Sequence, residues 1–270
     1  MDPEFLKSQI EGDVLTDRSS KLIYATDASA YREIPLAVVI PKTKADIIRL
    51  INYAKENQYT LIPRTAGTSL AGQVVGNGII VDVSKYFTKI IEVNPEEKWV
   101  RVEPGVVLDE LNLHLKQYGL YFGPETSTSN RCMTGGMVGN NSCGAHSLIY
   151  GSTREHTLEI KAILSDASEV KFNALSVNDF EKKCLLKNLE GDIYRNIKEI
   201  LSDPKNQENI TREFPDEKIK RRNTGYAIDI LLKHKPFTEN GEDFNFCKLF
   251  SSTLARAADQ FEVPVCCKDC

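Results

Sequence analysis

A glycine-rich segment at residues 63–73 carries the residue types that bind a diphosphate. Glycine lets the backbone turn so that successive N–H groups point at one anion, and hydroxyl side chains add further donors. The segment offers Gly67, Gly72, Thr65, Thr68 and Ser69 for these roles. Taken alone, it is also typical of an ordinary turn between two strands, so both interpretations stay open at this point.

Two better-known nucleotide loops do not fit this segment. The triphosphate loop places Lys and then Ser or Thr directly after Gly-x4-Gly, whereas Gln73 and Val74 follow Gly72 here. The dinucleotide pattern Gly-x-Gly-x-x-Gly also fails, because Gly76 and Gly78 are followed neither by a third glycine at the required spacing nor by a helix pattern. The sequence therefore disfavours an NTPase and a Rossmann-type dinucleotide site.

A second stretch of small residues, 123–151, has the composition of a cofactor wall. An isoalloxazine ring is flat, apolar on its faces and polar along one edge, so its wall must combine close backbone with amide and hydroxyl donors. The stretch contains these in Thr134, Gly135, Gly136, Gly139, Asn140, Asn141, Ser142 and Gly144. A loop of such length inside a compact domain is usually functional or disordered, and we expect function.

The flanking patterns predict the elements that hold these two segments. Apolar runs predict strands at 37–40, 61–63, 78–82, 158–164 and 170–172, and a hairpin at 90–93 and 100–102. Thr43 is predicted to cap a helix, because apolar residues follow it at helical spacing, and this spacing recurs at 107–115 and 193–201. The polar stretch 203–222 is predicted to be a segment at the surface. This mixture predicts an α+β fold of two lobes, residues 1–95 and 96–250, that share the ligand.

The composition of the 270 residues narrows the function classes. A net charge of −4 and a pI near 5.7 give no broad basic field, which disfavours a nucleic-acid scaffold. No apolar run approaches the roughly 20 residues that cross a bilayer, so we expect a cytoplasmic protein without a membrane span. The seven scattered cysteines suggest reduced thiols, and no metal site is predicted, because Cys267 and Cys270 have no second ligand pair.

Together the two small-residue segments resemble the FAD-binding fold of vanillyl-alcohol oxidase and p-cresol methylhydroxylase. The likeness is closest to bacterial FAD-linked dehydrogenases of D-lactate, glycolate and D-2-hydroxyglutarate. It extends over residues 24–250 and rests on separated strings in the same order, at 24–27, 63–73, 102–105, 134–136, 150–151 and 222–226. The resemblance implies a two-lobed α+β domain with FAD between its lobes.

The function implied by this resemblance is the oxidation of a small D-2-hydroxy acid. Hydride would pass to flavin N5, and the electrons would pass to a separate acceptor, such as an iron–sulfur domain or subunit. In members whose flavin is attached to histidine, that histidine occupies the position of Thr68. A threonine hydroxyl is too poor a nucleophile for this attachment, so we expect noncovalent FAD.

The resemblance also implies which residues bind the cofactor. Residues matching 64–69 and Gln73 hold the diphosphate, those between Pro124 and Gly144 follow the flavin and ribityl chain, and Ile160 faces the adenine through its backbone. The predicted cofactor-binding set is Pro63, Arg64, Thr65, Ala66, Gly67, Thr68, Ser69, Gln73, Pro124, Thr128, Thr134, Gly135, Gly136, Asn141, Ser142, Gly144, Tyr150, Gly151 and Ile160.

The resemblance ends after residue 250. Family members continue into a Gly-Ser-Glu-Gly-Thr-Leu turn that faces the flavin, whereas residues 251–255 lack the Glu-Gly pair and 256–270 show no strand pattern like the family's. We therefore expect 251–270 to be an atypical, truncated or non-native tail. The catalytic residues stay unassigned, because the substrate domain with its arginine, histidines and base would lie beyond this point.

Several alternatives remain open from the sequence. The chain could be a FAD-binding module without turnover, or a sugar or aldonolactone oxidoreductase of the same fold. His146 lies in the second segment and could approach the cofactor or the solvent. Arg221 and Arg222 could bind a carboxylate or phosphate, or form an ordinary solvated surface, and Tyr226 could pack near the flavin or in the core.

Overall fold

The computed structural model describes residues 2–216, 218–219, 225–250, 259–266 and 268–269, with side chains described as far as Leu249. Its strands are β1 (Asp13–Leu15), β2 (Ala37–Ile40), β3 (Leu61–Arg64), β4 (Ile79–Asp82), β5 (Ile90–Asn94), β6 (Trp99–Val102), β7 (Leu120–Tyr121), β8 (Ile160–Ile163), β9 (Glu169–Phe172), β10 (Asp259–Cys266) and β11 (Lys268–Asp269).

The helices surround these strands. They are α1 (Pro3–Gln9), α2 (Arg18–Ile23), α3 (Lys44–Glu56), α4 (Leu108–Leu115), α5 (Thr134–Asn140), α6 (Ser147–Tyr150), α7 (Thr153–His156), α8 (Val177–Cys184), α9 (Leu189–Ser202), α10 (Pro204–Glu213), α11 (Ile228–Leu232) and α12 (Cys247–Phe250). A 3₁₀ turn, Lys116–Tyr118, follows α4 and ends at Gly119, whose φ is 68°. None of the helices in the described ranges is long and apolar enough to span a membrane.

The first sheet has the strand order β1-β2-β4-β3 and forms the N-terminal lobe. Strands β2, β4 and β3 are parallel, and β1 is antiparallel to β2. Every residue of β2 and β4 is buried, because parallel strands covered on both faces are apolar throughout. Helix α3 follows β2 and packs Ile47 and Leu50 against Ile79 and Val81. The sheet thereby places the end of β3 at a fixed edge.

A buried carboxylate ties the N-terminal residues to α3. Thr43 and Asp46 form the predicted cap as a reciprocal capping box. The fully buried Asp46 side chain also accepts hydrogen bonds from the backbone N–H groups of Glu11, Gly12, Lys42 and Thr43, at 2.9 to 3.2 Å. Burial alone would raise the pKa of the Asp46 carboxyl, but these backbone donors hold it below its ordinary value of 3.8.

The second sheet has the order β5-β6-β10-β8-β9, with every pair antiparallel. The sequence of residues 256–270 shows no strand pattern like the family's, but strand β10 forms there and lies between β6 and β8. Its first half pairs with β8 and its second half with β6. Pro264 falls in the half that pairs with β6, opposite Arg101. Residues 251–258, including the position of the expected Glu-Gly turn, lie outside the described residues.

One further sequence expectation needs correction. The stretch 123–151 was expected to be a loop, but it contains α5 and α6. Helix α5 forms despite its glycines because Met137 and Val138 are buried in the second core, and tertiary packing outweighs propensity.

The polar stretch 203–222 was expected at the surface. It contains the mostly exposed helix α10, which begins at Pro204 with Asp203 as its N-cap.

The two sheets divide the chain between Asp82 and Ile90. Strand β5 pairs with β6 in the second sheet, so the boundary predicted at residue 95 falls inside a hairpin. The other predicted strands and helices are present, including the hairpin itself, α3, α4 and α9. The fold is thus α+β, as the sequence predicts, with the first glycine-rich segment in the N-terminal lobe and the second small-residue stretch in the other lobe.

Asp46→Asn is expected to lower the free energy of unfolding by about 2–3 kcal/mol, because buried N–H donors lose their anionic acceptor. The folded pKa of Asp46 is lowered, so its contribution is complete above the unfolded pKa and is lost as the pH falls through the folded value. Urea unfolding at pH 7 and pH 3 should therefore show a smaller gap between the variant and the wild type at pH 3.

The control is Asp109→Asn, which alters an exposed first-turn aspartate of α4. We expect this variant to unfold within about 0.5 kcal/mol of the wild type. Equal losses for the two variants at pH 7 would contradict the role given to Asp46.

Candidate functional site

A cleft of about 1220 Å³ lies where the two lobes meet. One side is lined by residues from the range 60–77 in the N-terminal lobe, and the other by residues from 126–143 in the second lobe. Pockets for small molecules commonly enclose 300–1,000 Å³, so this cleft has room for a ligand as large as a dinucleotide. Both small-residue segments singled out in the sequence therefore face the same space.

The first segment leaves β3 at Arg64 and turns sharply at Gly67. Gly67 has φ of 65°, in the left-handed region, and a Cβ added there would lie 2.5 Å from Nη2 of Arg64. The positive φ favours glycine at this position, and a side chain there would also have to displace the Arg64 guanidinium. Further along, the Ser69 hydroxyl donates to Gln73 Oε1 at 2.5 Å and accepts from the backbone N–H of Ala71. These bonds stabilise a curved backbone that can present N–H groups to an anion.

The Arg64 guanidinium lies against the backbone of this turn. It donates to the carbonyl oxygens of Tyr24 and Thr26 at 3.3 and 2.9 Å, and it lies 5.1 Å from the centre of the Tyr24 ring. The Tyr24 hydroxyl in turn donates to Asp82 at 2.5 Å. Burial lowers the pKa of Arg64 while Asp82, Tyr24 and Asp27 oppose that change. Arg64 nevertheless stays protonated, so this edge of the cleft carries a positive charge that the two hydrogen bonds hold in place.

The second segment closes on the first through its helix α5. Thr134 donates its hydroxyl to the Glu103 carbonyl at 2.9 Å, and the Gly135 N–H donates to the Pro104 carbonyl at 2.9 Å. A Cβ on Gly136 would lie 2.7 Å from the Thr65 hydroxyl oxygen of the other lobe. The hydrogen bonds at Thr134 and Gly135 fix α5 within its own lobe, and a side chain at Gly136 would displace the Thr65 hydroxyl of the other lobe.

Most of the predicted cofactor-binding residues line the cleft. These are Pro63, Arg64, Thr65, Ala66, Gly67, Thr68, Ser69, Gln73, Thr128, Gly135, Gly136 and Ser142. The others lie outside its lining, namely Pro124, Thr134, Asn141, Gly144, Tyr150, Gly151 and Ile160. Some of these support the wall from behind: the buried Asn141 side-chain oxygen accepts from the Ser152 hydroxyl and the Arg154 N–H, at 2.8 and 2.9 Å. The Ile160 side chain is buried in the second core.

The remaining candidates either do not line the cleft or lie outside the described residues. His146 does not line the cleft, and its Nδ1 lies 2.9 Å from the Glu125 carboxylate in a pair that is about half exposed. Arg221 and Arg222 lie outside the described residues, and Tyr226 is exposed. Among the residues that the structure describes, no histidine lines the cleft.

The sequence reasoning missed a group of cleft residues that precede β2. Thr26, Asp27, Ala28 and Glu33 all line the cleft, beside the first segment. The string at 24–27 was part of the family likeness, but it carried no predicted role. The only sequence signal for a role was an acidic residue followed by small ones, which by itself indicates a turn.

A match to a known family identifies the kind of cofactor that this fold binds. The sequence profile of the FAD binding domain matches residues 35–173, which include β2 to β9 and both small-residue segments. The chain belongs to the FAD binding domain family. The residues present fit FAD, because a glycine cradle and a held guanidinium meet a wall of small residues across a cleft of sufficient size.

Individual relatives of this FAD binding domain agree with the predicted family. The D-2-hydroxyglutarate dehydrogenase of Haemophilus influenzae is 36% identical over 253 residues, which cover 90% of this chain and 23% of that protein. The glycolate oxidase subunit GlcD of Bacillus subtilis is 28% identical over 167 residues, which cover 60% of this chain and 36% of the subunit. The chain thus spans roughly a quarter to a third of the length of these relatives.

A solved structure agrees with the predicted fold of the FAD binding domain. Alkyldihydroxyacetonephosphate synthase superposes on the chain with a TM-score of 0.57 at 19% identity, covering 63% of this chain and 38% of that one. Similarity at this level concerns the fold. The p-cresol methylhydroxylase-type architecture inferred from the sequence is confirmed.

Gly135→Ala and Gly139→Ala test the close approach of α5 to Pro104, since both change a glycine of α5 that lines the cleft. A Cβ on Gly135 would lie 2.6 Å from Cβ of Pro104, whereas a Cβ on Gly139 would meet nothing within 4 Å. We expect Gly135→Ala to lower the free energy of unfolding by about 1–3 kcal/mol. Gly139→Ala should leave it unchanged or raise it by up to about 1 kcal/mol.

Urea unfolding of both variants without FAD measures this difference. Equal effects of the two substitutions would show that Pro104 does not constrain Gly135.

Proposed function

We propose that this chain is the flavin-holding part of a FAD-dependent dehydrogenase that oxidises a small D-2-hydroxy acid. The observation that carries the proposal is the convergence of two small-residue segments, from separate lobes, on one cleft that contains a held guanidinium. The relatives named above support the substrate class, and D-2-hydroxyglutarate is the first substrate to test.

The cofactor-binding residues divide into two groups in this proposal. The turn at 64–69 and Gln73 bind the diphosphate with backbone N–H groups, hydroxyls and the charge of Arg64. Thr128, Gly135, Gly136 and Ser142 lie along the flavin and ribityl chain. The residues outside the lining, such as Asn141, act by positioning this wall, and Ile160 contributes only its backbone. When bound, FAD supplies the hydride acceptor at its N5 atom.

Turnover needs two further groups besides the cofactor. The substrate carbon must be held close to the acceptor atom, and a base must take the hydroxyl proton. Arg131 lines the cleft and is a cation of the kind that binds a carboxylate, but no histidine lines it within the described ranges. We infer that the base and the remaining substrate contacts correspond to parts of the relatives that this chain does not span.

The other inferences from the sequence keep the status of predictions. Electrons would leave the flavin for a separate acceptor, for which an iron–sulfur domain or subunit is the candidate. The cytoplasmic location is likewise a prediction. A second candidate function, a FAD-binding module without turnover, is favoured by the lack of a cleft histidine among the described residues.

The chain is expected to bind FAD noncovalently in this cleft. Gly67→Ala should weaken FAD binding by more than about tenfold, because a side chain at positive φ distorts the diphosphate turn. Gly119→Ala is the matched control, since Gly119 has φ of 68° and does not line the cleft. Flavin fluorescence titration measures both dissociation constants, and equal weakening would contradict the placement of the diphosphate.

Acid precipitation tests the noncovalent link. The loaded protein should release all its FAD into the supernatant, because Thr68 cannot attach the flavin. A yellow pellet would contradict this expectation.

A dye-reduction assay distinguishes an active dehydrogenase from a FAD-binding module without turnover. The FAD-loaded chain and a version that spans the full length of its relatives are mixed with D-2-hydroxyglutarate, D-lactate or glycolate and an artificial acceptor. We expect the longer protein to reduce the dye with one of these substrates and the chain alone to show little or no turnover. FAD binding without turnover by the longer protein would favour the module, and no FAD binding by either would overturn the proposal.

A further inference from the structure

The Arg64 guanidinium lines the cleft with several of its N–H donors unused. Its Nη1 group donates to the carbonyl oxygens of Tyr24 and Thr26. Its Nε and Nη2 groups have no hydrogen-bond partner among the described residues, and both keep accessible surface. A Cβ on Gly67 would lie 2.5 Å from Nη2 and 3.1 Å from Nε, so the unused donors lie beside the predicted diphosphate turn. A planar fork of charged N–H groups is well suited to bind phosphate oxygens.

The Asp82 carboxylate is the acidic group that would otherwise occupy these donors. Arg64 and Asp82 are partners in register on β3 and β4, so their side chains leave the same face of the first sheet. They form no direct ion pair in the part of the chain that the structure describes. Instead, the Asp82 carboxylate accepts the Tyr24 hydroxyl at 2.5 Å and the backbone N–H of Ser84 at 2.8 Å. Because Asp82 is buried, its charge needs such donors.

Tyr24 contacts both the acid and the arginine. Its hydroxyl donates to Asp82, while its ring centre lies 5.1 Å from the guanidinium carbon of Arg64. Burial raises the pKa of the Tyr24 hydroxyl and the hydrogen bond to Asp82 raises it further, so the tyrosine stays protonated and remains a donor. Neither Tyr24 nor Asp82 lines the cleft, so their effect on a ligand must pass through Arg64 or the turn.

We propose that Tyr24 is a positioning residue for FAD, because its hydroxyl occupies Asp82 and thereby leaves the Arg64 donors free to bind the diphosphate. This inference rests on the proposed function, since it requires FAD in the cleft. Without the hydroxyl, Asp82 keeps its charge and loses a donor, and Arg64 is the cation that faces it across the strand pair. A direct ion pair between Arg64 and Asp82 would then compete with the diphosphate for the same N–H groups.

The test is a rescue experiment on the whole chain, with FAD dissociation constants measured by fluorescence titration. Tyr24→Phe removes only the hydroxyl and should weaken FAD binding about tenfold, because the charged hydrogen bonds of Arg64 to the diphosphate are lost. Adding Asp82→Asn to Tyr24→Phe should restore binding to within about threefold of the wild type, because a neutral amide does not capture the guanidinium. Asp82→Ser serves the same purpose if the Asn variant does not fold.

Tyr86→Phe is the matched control in the same lobe. The Tyr86 hydroxyl lies 3.2 Å from Oδ2 of Asp13, and neither residue of this second tyrosine–aspartate pair lines the cleft. This variant also loses a hydroxyl that contacts a carboxylate, so it reproduces the effect of such a loss on stability alone. It should bind FAD within about twofold of the wild type.

Failure of this inference is distinguishable from failure of the proposed function. If the wild type binds FAD and Tyr24→Phe binds it equally well, the role of Tyr24 is overturned and the proposed function stands. Weakened binding that neither neutral residue at position 82 restores would show that Tyr24 only supports the turn, which also overturns the inference. Absence of FAD binding by the wild type would overturn both proposals.

Discussion

Close packing between the two lobes is the constraint on which the cleft depends. Gly136 leaves room for the Thr65 hydroxyl of the opposite lobe, while Gly135 rests on Pro104 of its own lobe. A side chain at Gly136 would displace the Thr65 hydroxyl and disturb this contact between the segments. Because the diphosphate turn and the small-residue wall must reach one ligand together, this contact sets the width of the whole site.

The N-terminal lobe holds its half of the cleft through a short chain of polar contacts. Asp82 at the end of β4 accepts from Tyr24, whose ring and carbonyl contact Arg64, and Arg64 lies against Gly67. The parallel strands thus fix the turn through side chains that are themselves half-buried or buried. A site built on strand ends in this way is more rigid than a site on a free loop.

Much of this fold could be predicted from the sequence, because its elements carry strong local signals. The apolar runs of β2 and β4, the cap at Thr43 and the hairpin of β5 and β6 appear in the structure at the predicted positions. Helix α5 could not be predicted, since its glycines disfavour a helix and the burial of Met137 and Val138 that stabilises it depends on the tertiary fold. Strand β10 was missed because its two halves pair with different neighbours and it contains Pro264.

The candidate site, like the fold, could be predicted only in part from the sequence. Glycine and hydroxyl content singled out five residues of the first segment. Thr65, Gly67, Thr68 and Ser69 line the cleft, whereas Gly72 does not. In the second segment, composition could not separate Gly135, which lines the cleft, from Asn141, which is buried behind it. The contact of Tyr24 with Asp82 was not predictable, because the two residues are 58 positions apart and meet only in the folded lobe.

Hydrogen–deuterium exchange with and without FAD tests the shared cleft most directly. The account predicts that FAD slows exchange in both 64–73 and 134–142, because one ligand contacts both lobes, while α10, which does not line the cleft, exchanges as before. Protection confined to one of the two segments, or equal protection at α10, would contradict a cofactor held between the lobes.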